Sequence, residues 1–184
     1  MSNGTSPLSR SVRASHRVRL PDGRAFAVSE VVVVTNLTKR SDPRASSNVT
    51  VRGADARALL LRPGVQIVAG RTYDAGAPEV IVGRPISERF VGCALGETVR
   101  FGARDWVVVG IFEAGGSGFE SEIWGDRETL APAFGRRGFS SQTLRLTSPE
   151  LLPAFTKRIE ADPRLRVDVK REDEYYAAQS ESLA

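Results

Sequence analysis

Cysteine, histidine and methionine occur once each in 184 residues. A single cysteine excludes an internal disulfide, and one histidine beside one cysteine excludes a zinc site built on those ligands. Cys93 sits in the apolar run Phe-Val-Gly-Cys-Ala-Leu-Gly and is expected to be a buried thiol. No apolar run approaches the roughly 18 residues of a bilayer-crossing helix. The longest are Leu59–Leu61, Val31–Val34 and Val107–Phe112, the last broken by Gly110. An apolar signal-peptide core is missing too, and Met1-Ser-Asn-Gly4 reads as an expression remnant, so the expectation is a soluble chain.

Several catalytic signatures are also wanting. Gly110 and Gly115 have the spacing of the two phosphate-loop glycines, but Gly116-Ser117 stands where Lys-Ser/Thr is required. Glu113, Glu120 and Glu122 would repel an anion there. Ser117 lacks the glycine two residues on that a nucleophile elbow needs, and His16 is the one imidazole available as its base. An oxygen-only calcium site among the Glu113–Asp126 carboxylates lacks EF-hand spacing. Glu120 and Glu122, two apart, would share one face of a strand, and the plain reading is an exposed acidic strand.

What is present is ordinary for a globular chain: 41% hydrophobic and 26% charged residues, with a net charge of +4. The charge is uneven. Residues 1–40 hold seven Arg/Lys against two acids (+5), and residues 41–184 hold nineteen against twenty (−1). A solvated or membrane-flanking terminus is the simpler reading of this basic end, and nucleic-acid binding the rival one.

Along the chain, Ser6-Pro7-Leu8 can start a helix and Pro21-Asp22-Gly23 a turn. Ala25–Leu37 reads as a strand covered on both faces at Val31–Val34, and Asn48–Gly53 as its hairpin partner beyond the polar loop Lys39–Ser47. Asp55 is a candidate cap for a helix through Leu61, ended by Pro63-Gly64. Short strands follow at Val65–Ala69, Glu79–Val82 and Thr98–Glu113, with one helix at Pro85–Phe90. Thr98–Phe101 and Trp106–Val109 flank a Gly102-Ala103 turn. Asp126 caps a helix over 127–134. Ser141–Thr147 alternates as a half-buried strand. Pro149–Asp162 carries Leu151, Leu152, Phe155 and Ile159 on one helical face. Leu165–Val169 reads as a strand and Arg171–Leu183 as a last helix. Trp106 and Trp124 read as packing residues. Elements at both chain ends bracket a β-rich middle, which suggests one lobe made from both ends with a second inserted.

Glu79-Val-Ile-Val-Gly-Arg84, Leu95–Gly102, Arg104–Ser117, Phe119-Glu-Ser-Glu-Ile-Trp124 and Phe139-Ser-Ser141 occur in that order. Together they resemble the MacB-like periplasmic core domain of FtsX-type ABC transporter permeases, over positions 8 to 180. The resemblance implies an α+β, two-lobed fold. A porter-like α/β lobe takes residues 8–63 and 140–184, a β-rich lobe is inserted at 64–139, and residues 1–7 form a disordered leader. It implies a non-catalytic domain on the periplasmic side of the bacterial inner membrane, with no cofactor and no metal. Its partners would be the membrane helices of its own permease, a cytoplasmic ABC ATPase, a second permease copy and a periplasmic protein, with no nucleic acid. Cytoplasmic ATP-driven motion would be coupled here to substrate export or partner regulation. The motif also points to a partner or inter-lobe contact at Glu113, Gly115, Gly116, Ser117, Phe119, Glu120, Glu122 and Trp124. The glycines would allow close approach, Phe119 and Trp124 would anchor, and Glu120 and Glu122 would form the rim. The rivals are a small nucleic-acid-binding protein using the arginine-rich start, and a hydrolase using Ser117 or the paired glutamates.

Overall fold

The computed structural model describes residues 27–146, 148–165 and 167–175. The Ser6-Pro7 helix start, His16 and the Pro21–Gly23 turn lie outside them, as does most of the expected last helix. The chain divides into two compact units, Val28–Gln142 and Met1–Ala27 with Thr143–Ala184.

The larger unit is built on a mixed sheet. β1 (Ala27–Thr38) and β2 (Ser46–Gly53) form the expected hairpin, in register from Val31↔Gly53 to Thr38↔Ser46. β3 (Gln66–Gly70), β4 (Glu79–Gly83), β5 (Thr98–Phe101), β6 (Arg104–Glu113), β7 (Glu122–Gly125) and β8 (Ser141–Leu144) complete an order of β3-β6-β4-β7-β2-β1-β8, with β5 also on β6. β1 and β2 therefore hydrogen-bond into the same sheet as β3 to β7. Two pairings are parallel, β2 with β7 and β4 with β6.

β6 is the longest strand of the middle region, and its composition explains its place. Trp106, Val108 and Ile111 are buried in the apolar core on one face, and a bulge opposite Val80–Ile81 turns Gly110 and Phe112 to the other face, where Phe112 meets Trp124. At the centre, β4 carries Val80, Ile81 and Val82 at 0% exposure, a continuous apolar run covered on both sides. The expectation of two covered faces fails at Val34, which is 59% exposed. There β1 lies near the sheet edge, and from Val31 onward Val31, Val33 and Leu37 turn into the core.

The β5–β6 turn forms at Gly102-Ala103, with φ of 57° and 59°. Mirror-image turns of this kind match the twist of the flanking strands. The short helices are α1 (Ala58–Leu61), α2 (Arg84–Arg89) and α3 (Arg127–Ala133). Asp126 caps α3, its Oδ2 accepting from the backbone N–H and hydroxyl of Thr129. Asp55 does not cap α1 directly; its Oδ1 accepts from the N–H of Arg57, the residue just before the helix. Cys93 is fully buried, and desolvation pushes its thiol up to about 12.

In the smaller unit a 3-10 turn at Pro149–Leu151 leads into α4 (Leu152–Glu160). Leu152, Phe155 and Ile159 are half-buried along one stripe, whereas Leu151 is exposed. The strand expected over 165–169 is not formed at its described residues, which follow a turn at Asp162–Leu165 closed by the Leu165 N–H on the Asp162 carbonyl.

Candidate partner-contact site

The end of β6 runs into a tight loop that returns as β7. Gly115 and Gly116 take φ of 60° and 77°, a pair of left-handed residues that only glycine adopts cheaply. Gly118–Ser121 is a 3-10 turn. Glu120 Oε1 reaches back to accept from the N–H of Ala114 at 2.6 Å and of Gly116 at 2.9 Å. The loop is thus closed on itself by one side chain. The Gly116 N–H, then that of Ala114 and the charge of Arg84, hold the Glu120 carboxyl below its ordinary value. Arg84 itself pairs with Glu113 at the root of the loop.

Below, the loop rests on backbone. A Cβ on Gly83 would lie 1.9 Å from the Glu120 carbonyl oxygen, so glycine is the residue that lets β4 and the loop meet. The Phe119 ring stands edge-on to Trp124 at 5.5 Å and 85°. The guanidinium groups of Arg62 and Arg52 lie 5.0 and 5.4 Å from its centroid, within the range of cation–π attraction.

Those arginines belong to a buried ionic cluster. Arg52 grips Glu122 with two hydrogen bonds, Nε to Oε2 at 2.7 Å and Nη2 to Oε1 at 2.8 Å. Its Nη1 donates to Glu30 at 2.9 Å, and Arg62 Nη1 donates to the same carboxylate at 2.6 Å. Trp124 Nε1 donates to Glu122 at 2.7 Å. Glu30, Arg52, Arg62 and Glu122 are 1, 3, 5 and 5% exposed. Charges so thoroughly removed from water hold only when paired and hydrogen-bonded on all sides.

The eight sequence-expected residues thus separate by depth. Gly115, Gly116 and Ser117 are exposed, and Glu113, Phe119 and Glu120 are partly so. Trp124, at 0%, and Glu122 are internal. The exposed acidic strand expected at Glu120–Glu122 is corrected accordingly. Glu120 sits in a 3-10 turn on its own backbone, and Glu122 opens β7 against Arg52 on the neighbouring strand. Sequence reasoning missed Glu30, Arg52 and Arg62. The available signal was a glutamate and an arginine set within the β-branched runs of β1 and β2. Among the described residues no group of three or more His, Cys, Asp or Glu is placed to hold a metal ion.

The family model of the MacB-like periplasmic core domain matches residues 3–162. The chain belongs to that family. Two solved structures share the fold of this MacB-like domain. The extracellular domain of the noncanonic ABC-type transporter YknZ from Gram-positive bacteria has a TM-score of 0.56 and 20% identity, over 73% of this chain and 72% of that one. The periplasmic region of MacB from Actinobacillus actinomycetemcomitans has a TM-score of 0.51 and 13% identity, over 73% of this chain and 65% of that one. No curated protein sequence matches the chain. The MacB-like domain is the periplasmic core of a MacB/FtsX-like ABC transporter permease, and nothing among its relatives supports the nucleic-acid reading. No helix among the described residues is long and apolar enough to cross a membrane.

Proposed function

We propose that this domain is a non-catalytic moving part, coupling ATP-driven motion in the cytoplasm to substrate export or to regulation of a periplasmic partner. The permease would work as a dimer with a cytoplasmic ABC ATPase. Its contact element is the loop from Glu113 to Glu120, with Glu122 and Trp124 as internal support. The single observation carrying this is the closure of the loop by Glu120 above an ion cluster that joins β1, β2 and β7. A loop held so firmly transmits displacement instead of absorbing it, and its ordering cost is met before any partner arrives.

The test is made in the full permease. Phe119→Ala and Glu120→Lys are expected to lower export or partner binding at least tenfold, while the isolated domain keeps a cooperative melt. Unchanged export and partner binding in both variants would remove the loop from the mechanism.

A further inference from the structure

The larger unit carries a second feature, remote from the loop. At the β5–β6 turn Phe101 faces inward and stacks on Trp106 at 5.4 Å and on Phe134 at 5.9 Å. Phe134 ends α3, and a Cβ on Gly102 would lie 3.0 Å from the Ala133 carbonyl oxygen, so the helix end sits on the turn. Gly135, with φ of 64°, then reverses the chain, its N–H bonding the Pro132 carbonyl and that of Arg136 the Ala131 carbonyl. Arg136 and Arg137 therefore leave the helix end that packs on this turn, which carries Arg104 on the face of Phe101 and Trp106 and Arg100 on the opposite face. All four are exposed. The one carboxylate of the turn, Asp105, shares the face of Arg100 and pairs with it. Among the described residues no carboxylate pairs with Arg104, Arg136 or Arg137. Arg104 instead lies over the Trp106 ring at 5.4 Å.

The strand registers fix which end of the sheet this is. Val31, Gly53, Gly125, Val80 and Val108 form one row across β1, β2, β7, β4 and β6. β1, β4 and β6 run the same way, so the starts of β1 and of β6 both lie about 13 Å below that row, at roughly 3.3 Å per residue. The other chain exit joins them there. The Ser140 N–H donates to the Glu30 carbonyl, and Gln142 Nε2 donates to Ser29 Oγ at 3.4 Å. The chain thus enters and leaves the larger unit at the end that bears the four arginines.

We propose that this arginine face rests on anionic phospholipid headgroups of the membrane in which the permease is anchored. The inference relies on the proposed function, under which both chain exits lead toward that membrane. Guanidinium groups match phosphate with paired donors, and rigid placement on a turn and a helix end reduces what ordering costs. Free inorganic phosphate shares the chemistry, but the charges of Arg104, Arg136 and Arg137, spread over two elements, fit an extended anionic surface better than a single ion.

The experiment is vesicle flotation of the full 184-residue chain. Vesicles of phosphatidylcholine alone are compared with equal parts phosphatidylcholine and phosphatidylglycerol. Binding to the second kind only is expected, weakening with salt. The triple variant Arg104→Gln/Arg136→Gln/Arg137→Gln should lower partitioning on the order of a hundredfold, about fivefold per arginine. Its melting temperature should match the parent. A second variant, with Arg10, Arg13, Arg17 and Arg19 changed to Gln, should keep the phosphatidylglycerol preference. Undiminished binding by the triple variant overturns the proposal, and so does loss confined to the second variant. Competition by inorganic phosphate at equal ionic strength, absent with sulfate, would show a single-ion site and also overturn it. Silent loop variants in the permease with responsive vesicles would discard the contact loop and leave the lipid face standing.

Discussion

Glu122→Gln is the sharpest probe of the interior. In the parent, the Glu122 carboxylate takes two hydrogen bonds from Arg52 and one from the Trp124 indole. Glutamine keeps one acceptor and turns an NH2 group toward guanidinium donors, leaving a buried positive charge short of its partner. Removing one member of a buried ion pair costs about 3–5 kcal/mol. At about 2–4 °C per kcal/mol for a chain of this size, the melting temperature should fall by about 6–20 °C. Calorimetry and urea unfolding measure it. The exposed pair Arg100–Asp105 gives the control, since Asp105→Asn should cost less than about 1 kcal/mol. The double variant Arg52→Met/Glu122→Leu removes both charges, keeps the Glu30–Arg62 pair and should lose less than Glu122→Gln alone. A loss under about 1 kcal/mol for Glu122→Gln, or a double variant worse than the single, would refute the reasoning.

Three further outcomes are expected. The Glu120 carboxyl titrates below its ordinary 4.5 when folded, so its closure of the loop is complete above that value and is lost as pH falls through the folded one. The protection of the Ala114 and Gly116 amides, taken relative to the intrinsic exchange rate at each pH, should fall on acidification, and in Glu120→Ala, which has no acceptor, it should be low at all pH without that step. Cys93 should resist alkylation in the folded chain at neutral pH and react fully in denaturant, as desolvation keeps it a thiol; rapid labelling of the native protein would contradict its burial. Gly83→Ala should cost about 2–4 kcal/mol because backbone, not a flexible side chain, blocks the new methyl group. Gly115→Ala meets open space and should cost only about 1 kcal/mol of left-handed strain.

Much of the local structure was legible. Gly102-Ala103 between Phe101 and Trp106, and Asp126 three residues before Thr129, declare a turn and a cap through neighbours in the chain. The pairing of β2 with β7 was not, because Arg52 and Glu122 lie 70 residues apart and no local pattern couples them. That is why Glu122 read as surface: alternation places it opposite Ile123, yet both are buried, Ile123 in the apolar core and Glu122 under the Arg52 guanidinium and the Trp124 indole on the other face. The contact loop was visible as composition, Gly-Gly-Ser-Gly with acids. Its closure by Glu120 depends on the left-handed pair at Gly115–Gly116, a conformation that the residues permit but do not dictate.

The two chain exits at one sheet end have a mechanical corollary. A pull that separates residues 28 and 142 meets first the few bonds from Ser29, Glu30 and Val32 to Ser140 and Gln142. Stacked one after another, they yield singly, like a zip opened from its foot, and need little force. The β2–β7 ladder and the ion cluster behind it carry none of that load until the zip has run out. Traction on the tethers would then tilt or part the edge and deliver the rest of the body unbent.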